Sequence, residues 1–162
     1  MAVKITNVRK VNLPELRFIG KRCRCDPKDF IVAWNEWLEK GWFNQLEKLG
    51  VAPENMDAYW GVTTDDGSYY WIGLLFPPDT SVPNGFEYAD SPAANYVVFE
   101  LEGIEEGELF GEDGIILVFE EMNKRNMVSS EGGWGLERYN PPSMDGKGIM
   151  FVEFLNAIRC KS

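Results

Sequence analysis

The segment that decides the fold is AYWGVTTDDGSYYWIGLLF, residues 58–76. Two runs rich in aromatic and β-branched residues, 58–64 and 69–76, flank residues 65–68 (DDGS), which are typical of a tight turn. Alternation of side chains over such runs is the pattern of paired strands. The segment therefore predicts an antiparallel hairpin.

Further elements extend outward from this hairpin in both directions. Alternating apolar residues predict strands at 3–12 and 16–24, and apolar residues at helical spacing predict a helix within 28–49. Three prolines mark 77–85 as a linker. The remaining predicted elements are a strand at 95–102, a helix at 108–125, and strands at 134–140 and 149–158.

The order strand–helix–strand–strand occurs twice, in pseudo-repeats at about 12–77 and 86–160. A repeated element order at a nearly constant offset is typical of an internal duplication. Two such units joined by sheet pairing would place both helices on one face. We therefore expect a single domain, 1–162, of the α+β class: tandem duplicated β-α-β-β units forming a mostly antiparallel curved sheet, with two helices on one face and a ligand cleft between the halves.

Composition excludes several kinds of chemistry. The 162 residues carry 16 basic and 26 acidic side chains, a formal net charge of −10, and contain no histidine. The lack of imidazole excludes Ser–His–Asp and Cys–His hydrolysis and histidine-containing zinc sites. Cys23 and Cys25 lie two residues apart on a predicted strand, which suits free thiols better than a disulfide. We expect neither a metal nor a cofactor.

The charge is unevenly distributed along the chain. Residues 1–28 carry eight basic and two acidic side chains, and residues 29–162 carry eight basic and 24 acidic ones. The basic segment is short and alternates with apolar residues, which favours a solvated strand over a nucleic-acid arm. The acidic remainder would repel a polyanion, so we expect no direct nucleic-acid partner. With no signal peptide and no membrane-length apolar run, the protein is expected to be cytoplasmic, with no membrane partner.

Strand alternation assigns the hairpin side chains to two faces. We interpret the aliphatic residues Val62, Ile72 and Leu74 as the set that lies under a helix. The opposite, open face is then predicted to carry two aromatic residues and two glycines: Tyr59, Trp71, Gly61 and Gly73. Glycine within a strand indicates the close approach of a ligand or of another backbone.

The later strands add polar residues to this picture. Glu137 and Tyr139 share the face opposite Leu136, and Glu153 shares a face with Leu155. Together with the hairpin they predict a cleft with aromatic walls and one or two carboxylates. The alternative is that the aromatic residues belong to an ordinary core and that both glutamates lie on a solvated sheet.

Six short segments, in this order, resemble the GyrI-like small-molecule-binding domain, which is also the effector-binding domain of AraC- and MerR-type regulators. They are YWG at 59–61, YWIGLLF at 70–76, VPNGFE at 82–87, NYVVFELEG at 95–103, LERY at 136–139 and FVEFLNAI at 151–158. The resemblance covers nearly the whole chain and implies a stand-alone member of the family. It also implies the tandem fold and the cleft between the halves.

The resemblance implies that the cleft binds hydrophobic, planar and often cationic compounds, with Glu137 facing the ligand. The predicted ligand-binding residues are Tyr59, Gly61, Trp71, Gly73, Glu137, Tyr139 and Leu155. The leading hypothesis is therefore a multidrug-binding protein whose partner is a small aromatic or cationic molecule. Carboxylates and aromatic faces both attract cations, which agrees with this hypothesis.

Two other functions stay open at this point. Some stand-alone relatives resemble hydrolases of reactive cyclopropanoid natural products. In that case Glu137 would activate water or stabilise developing positive charge, and Tyr139 or Tyr59 would donate a proton. A paired-carboxylate glycosidase using Glu137 and Glu153 is a weaker idea of the same class. Alternatively, the acidic surface could engage a basic protein partner such as gyrase, although such a surface also simply keeps a protein soluble.

Overall fold

The computed structural model describes residues 4–24, 30–49, 59–63, 69–103, 112–129, 134–139 and 150–160. The strands within these ranges are β1 (Lys4–Leu13), β2 (Leu16–Arg24), β3 (Tyr59–Thr63), β4 (Tyr69–Phe76), β5 (Glu87–Ser91), β6 (Ala94–Gly103), β7 (Met127–Ser129), β8 (Gly135–Tyr139) and β9 (Met150–Cys160). The helices are α1 (Phe30–Lys40), α2 (Trp42–Glu47) and α3 (Glu112–Lys124).

The predicted elements are present, with two differences. The helix predicted over 28–49 is divided at Gly41, whose φ of 66° lies in the left-handed region that glycine adopts without a side-chain clash. Strands β5 and β7 were not predicted. The sequence of β5 is EYADS, and the strand forms by pairing with β2, roughly 70 residues away. No local pattern therefore predicts it.

The strands form one antiparallel sheet in the order β1-β6-β9-β8-β3-β4-β2-β5, and β7 pairs with β9. The two halves of the chain meet where β3 pairs with β8. On either side of this contact the strands follow in equivalent order, β8-β9-β6 and β3-β4-β2. A duplicated unit would have this symmetry, although the duplication itself stays a prediction.

Opposite ends of the strand order lie close together in space. Leu13 ends β1 at one edge, and Leu16 begins β2 near the other edge. Three residues of chain span at most about 11 Å, so the two ends must approach each other. Ser91 and Ala94 connect β5 to β6 across the same gap. The sheet is therefore strongly curled and has an inner and an outer face.

Among the residues that the structure describes, one core cluster fills the inner face. Trp60 and Phe18 are both completely buried in it, and Leu13 and Leu16 bring the two ends of the sheet into the same cluster. The other buried members are Val62, Trp71, Leu75, Tyr96, Val98, Trp134 and Leu136.

Both helical segments pack on the outer face, as predicted. Helices α1 and α2 cover β2 and β4 through a cluster that includes Trp37, Leu46 and Ile72. Helix α3 covers β6 through a cluster that includes Val118 and Phe99. The outer face therefore has two separate cores, one under each half's helices.

Candidate functional site

A row of directly opposed residues crosses the outer face between the two cores. In strand order it reads Phe99, Phe154, Glu137, Gly61 and Ile72. Phe99 belongs to the α3 core and Ile72 to the α1–α2 core. Glu137 and Gly61 occupy the middle of the row, where the halves meet.

Four of the predicted site residues come together here. Tyr59 pairs with Tyr139 and Gly61 pairs with Glu137, so all four lie at outer-face positions of the central strand pair. The side chain of Tyr139 is outside the described part of the structure. Among the residues that β3, β4, β6 and β8 place on this face, Glu137 is the one carboxylate.

The face assignment of Trp71 and Gly73 was wrong. Val62 pairs with Trp71, and Trp60 pairs with Gly73, so these residues share the inner face. Trp71 is 7% exposed and packs edge to face against Phe18, with the ring centroids 6.0 Å apart. It is a core residue rather than the wall of an open cleft.

The glycine at position 73 has a backbone role. Gly73 pairs with Gly20, and a Cβ on either residue would overlap the neighbouring backbone. Close approach of two strands therefore explains it without a ligand. Leu155, in turn, is opposite Leu136 and thus takes an inner-face position, away from Glu137.

The register of β8 and β9 separates the positions of Glu137 and Glu153. Glu137 is opposite Phe154, and Glu153 is opposite Arg138, so the two glutamates belong to different faces of the sheet. A glycosidase mechanism needs both carboxylates on one side of the substrate bond, and this arrangement excludes it for these two residues.

Glu137 accepts a hydrogen bond from a residue that was not among the predicted site residues. The Tyr70 hydroxyl donates to Glu137 Oε1 at 2.8 Å, and Trp34 Nε1–H donates to the Tyr70 hydroxyl oxygen at 3.1 Å. Because an indole N–H can only donate, the Tyr70 proton is directed toward Glu137. The chain of hydrogen bonds thus has a fixed direction, from α1 through β4 to β8.

Gly61 makes room for this arrangement. A Cβ at position 61 would overlap the Tyr70 hydroxyl and would lie 3.2 Å from Glu137 Oε1. The glycine of the YWG segment therefore allows the tyrosine of one strand to reach over it to the glutamate of another. The group that approaches Gly61 is thus a side chain, rather than the ligand or backbone that the sequence predicted.

Tyr70 is held in its neutral form. The side chain is 1% exposed. Burial, followed by the negative charge and hydrogen bonding of Glu137, raises the pKa of Tyr70 well above its ordinary value. The tyrosine therefore remains a hydrogen-bond donor to Glu137 throughout the physiological pH range.

Aromatic rings lie on the α1–α2 side of Glu137. Tyr59 stacks on Phe43 of α2 with the ring centroids 4.0 Å apart and the planes 6° from parallel, and Trp34 stacks on Phe43 at 5.9 Å. Trp34 and Tyr59 are half-buried and contact both outer cores. They therefore lie at the junction between the halves and close to Glu137.

A protein-family model for the GyrI-like small molecule binding domain matches residues 6–110 of the sequence. The chain belongs to the GyrI-like family. Its members are small-molecule-binding domains, which is the function class that the residues around Glu137 indicate. No curated protein sequence matches the chain.

Solved structures share the fold of this GyrI-like domain. SAV2435 bound to tetraphenylphosphonium has 13% sequence identity and a TM-score of 0.72, covering 95% of this chain and 94% of that one. A proposed bacterial transcription regulation protein from Staphylococcus aureus MU50 has 14% identity and a TM-score of 0.69, covering 94% and 98%. The EcmrR C-terminal domain has 9% identity and a TM-score of 0.62, covering 95% and 98%.

Two further features complete the description of this GyrI-like domain. The thiol of Cys23 donates a hydrogen bond to the Tyr70 carbonyl oxygen at 3.0 Å, whereas Cys25 lies outside the described residues. Within the described ranges, no helix is long and apolar enough to cross a membrane.

Sequence reasoning missed Trp34, Phe43 and Tyr70 as site residues. Trp34 is one of the apolar residues at helical spacing within 28–49, and Phe43 lies in the same predicted helix without being one of them; neither position indicates which residues reach the junction of the halves. Tyr70 is adjacent to Trp71, and a one-residue error in register exchanges their faces. The signal that could have found Tyr70 is Gly61, since a strand glycine implies that some large group passes over it.

Proposed function

We propose that this GyrI-like domain binds hydrophobic cationic aromatic compounds on its outer face, between the two helix-covered cores. The observation that carries the proposal is the position of Glu137. A half-buried carboxylate accepts a hydrogen bond from buried Tyr70 and lies beside the half-buried aromatic side chains of Trp34 and Tyr59.

Electrostatics favour a cation at this place. A partly desolvated carboxylate is stabilised by an opposite charge nearby. The faces of tryptophan and tyrosine rings attract the same charge, each contributing roughly 0.5–2 kcal/mol. A flat apolar cation would satisfy both interactions at once, because it can lie against the rings while its charge approaches Glu137.

The fold comparison suggests the probe. SAV2435, which shares the fold, has been solved with tetraphenylphosphonium, a hydrophobic aromatic cation. We therefore propose Glu137, Tyr59, Trp34 and Tyr139 as ligand-contacting residues, with Tyr70 and Gly61 as the residues that position Glu137. Trp71, Gly73 and Leu155 are left out of this set because of their inner-face positions.

The test is a tryptophan-fluorescence titration with two ligands of equal shape and opposite charge, tetraphenylphosphonium and tetraphenylborate. We expect saturable quenching by the cation with a micromolar Kd and at least tenfold weaker binding of the anion. Glu137→Gln should weaken the cation about tenfold, about 1.4 kcal/mol, and should not weaken the anion. Glu102→Gln, which removes a carboxylate that pairs with Lys4 away from the site, should change neither Kd.

If Glu137→Gln weakens the binding of the cation and of the anion equally, the role proposed for the charge of Glu137 is contradicted. No saturable binding of either ligand would contradict the site as a whole. The second measurement is incubation with a cyclopropane-containing substrate. If more product forms than there is protein, and Glu137→Ala abolishes this turnover, the protein is a hydrolase instead. If the protein binds a basic protein such as gyrase, and tetraphenylphosphonium does not compete with that binding, the result would favour the acidic protein-binding role.

A further inference from the structure

A second carboxylate lies at the edge of the proposed site. Glu47 is the last residue of α2 and is exposed to solvent. It follows Phe43 by four residues, so both side chains lie on the same side of the helix. Phe43 is the ring that stacks on Tyr59. The geometry of α2 therefore brings Glu47 toward the same tyrosine.

The environment of Tyr59 agrees with this placement. Burial is the largest cause that raises the pKa of Tyr59, and the negative charge and hydrogen bonding of Glu47 raise it further. Together with the place of Glu47 one turn after Phe43, this puts its carboxylate toward the hydroxyl end of Tyr59. Phe43 stacks on one face of the Tyr59 ring, and Tyr59 packs against both outer cores.

Glu137 lies on the other side of the same residue. Tyr59 precedes Gly61 by two positions on β3, a distance of roughly 7 Å along a strand, and Gly61 is directly opposite Glu137. Glu137 therefore lies near the backbone end of Tyr59, whereas Glu47 lies toward its hydroxyl end, so the two carboxylates are at different ends of the same side chain. One is half-buried between the cores, and the other is at the solvent edge.

We infer that Glu47 is a second cation-recognition residue of this site and that the preferred ligands are elongated aromatic dications. This inference rests on the proposed function. One positive group would lie beside Glu137, the aromatic body would lie along Tyr59, and the second positive group would lie beside Glu47. A compact monocation would use Glu137 and leave Glu47 in water.

The experiment compares a rigid biphenyl that carries one trimethylammonium group with a biphenyl that carries one at each end. Exposed charge pairs are worth less than buried ones, so we expect the dication to bind about fivefold more tightly in low salt. A symmetric ligand gains at most twofold from having two equivalent orientations. A ratio of about five is therefore distinguishable from that statistical effect.

Glu47→Gln keeps the size of the side chain and its ability to accept hydrogen bonds. It should reduce the ratio to about two while leaving the Kd of tetraphenylphosphonium within twofold of its original value. Glu39→Gln, which removes one exposed carboxylate from α1, is the control for net charge and should preserve the ratio.

The outcomes separate this inference from the proposed function. If tetraphenylphosphonium binds and the dication shows no advantage beyond twofold, the role of Glu47 is wrong and the proposed function stands. Equal reductions in Glu47→Gln and Glu39→Gln would also overturn it, because the effect would then come from total charge. If tetraphenylphosphonium does not bind at all, the proposed function itself fails.

Discussion

The two faces of the curled sheet bury their aromatic residues to different extents. On the inner face, Trp71 and Trp134 both pack edge to face against Phe18 in a completely buried cluster. On the outer face, Trp34 and Tyr59 are only half-buried, and Trp34 donates a hydrogen bond that leads to a carboxylate. Burial of aromatic side chains on the inner face stabilises the fold. On the outer face the aromatic side chains are less completely buried, and polar atoms lie next to them.

The comparison teaches that aromatic content alone does not mark a binding site. Trp71 and Tyr59 were predicted to share a wall, yet one is enclosed by the sheet and the other contacts both helix-covered cores. What distinguishes the outer face is the charge at its centre. Glu137 lies there beside a buried tyrosine that donates to it.

The largest expected effect tests the division into a stabilising and a ligand-binding face. Trp60 is completely buried on the inner face. Trp60→Ala should lower the free energy of unfolding by about 4 kcal/mol, because it leaves a large cavity. Trp34→Ala should cost about 2 kcal/mol or less, since its side chain is only partly buried. Urea denaturation measures both, and equal losses would remove the distinction between the faces.

The next prediction tests the role of Gly61, the strand glycine on the outer face. Gly61→Ala should destabilise the protein by about 2 kcal/mol and weaken tetraphenylphosphonium binding, because the new methyl group displaces the Tyr70 hydroxyl from Glu137. Gly135 is a matched control two residues before Glu137, since a Cβ there meets nothing within 4 Å.

Gly135→Ala should therefore stay within about 0.5 kcal/mol of the wild type and keep its affinity. Denaturation and fluorescence titration of the two variants give the answer. A Gly61→Ala protein with wild-type affinity would mean that the hydrogen bond from Tyr70 does not position Glu137.

The smallest effect compares one buried tyrosine from each face. Burial raises the pKa of Tyr96 on the inner face, while its hydrogen bond with Ser91 lowers it. On the outer face, burial and Glu137 together raise the pKa of Tyr70. A raised pKa means that the folded state keeps a proton that the unfolded state loses. Stability is therefore complete below about pH 10 and falls as pH rises above it.

Tyr70→Phe should flatten this alkaline decline more than Tyr96→Phe does. Each group contributes at most about 1.4 kcal/mol per pH unit to the slope. Urea midpoints between about pH 9 and 11 measure the difference. Equal slopes in the two variants would contradict a larger rise in the pKa of Tyr70 than in that of Tyr96 over this pH range.

Much of the fold could be predicted from local patterns. The alternation around the hairpin and the helical spacing after residue 28 identified strands β3 and β4 and the region of α1 and α2. The grouping of Glu137 with Tyr139, opposite Leu136, was also right, because alternation within one strand is fixed by the pleat. Strand β5 could not be found this way, since its pairing partner is distant in sequence.

The site could be predicted only in part, because the register between two paired strands cannot be read from the sequence of either strand alone. Val62 and Ile72 look alike as aliphatic core residues, but the register pairs Val62 with Trp71 and Ile72 with Gly61. A shift of one residue exchanges every side chain between the faces. The predicted wall therefore combined Tyr59 from one face with Trp71 from the other.

The sequence by itself determined most of the elements, the lack of imidazole chemistry and the carboxylate at position 137, because these depend on composition and on neighbours along the chain. Tertiary structure decided which face is enclosed and which residues meet at Glu137. Curling of the sheet joins strands from opposite ends of the order, and the pairing of β3 with β8 brings together residues roughly 75 positions apart. Such contacts depend on register and curvature, which no local pattern of residues contains.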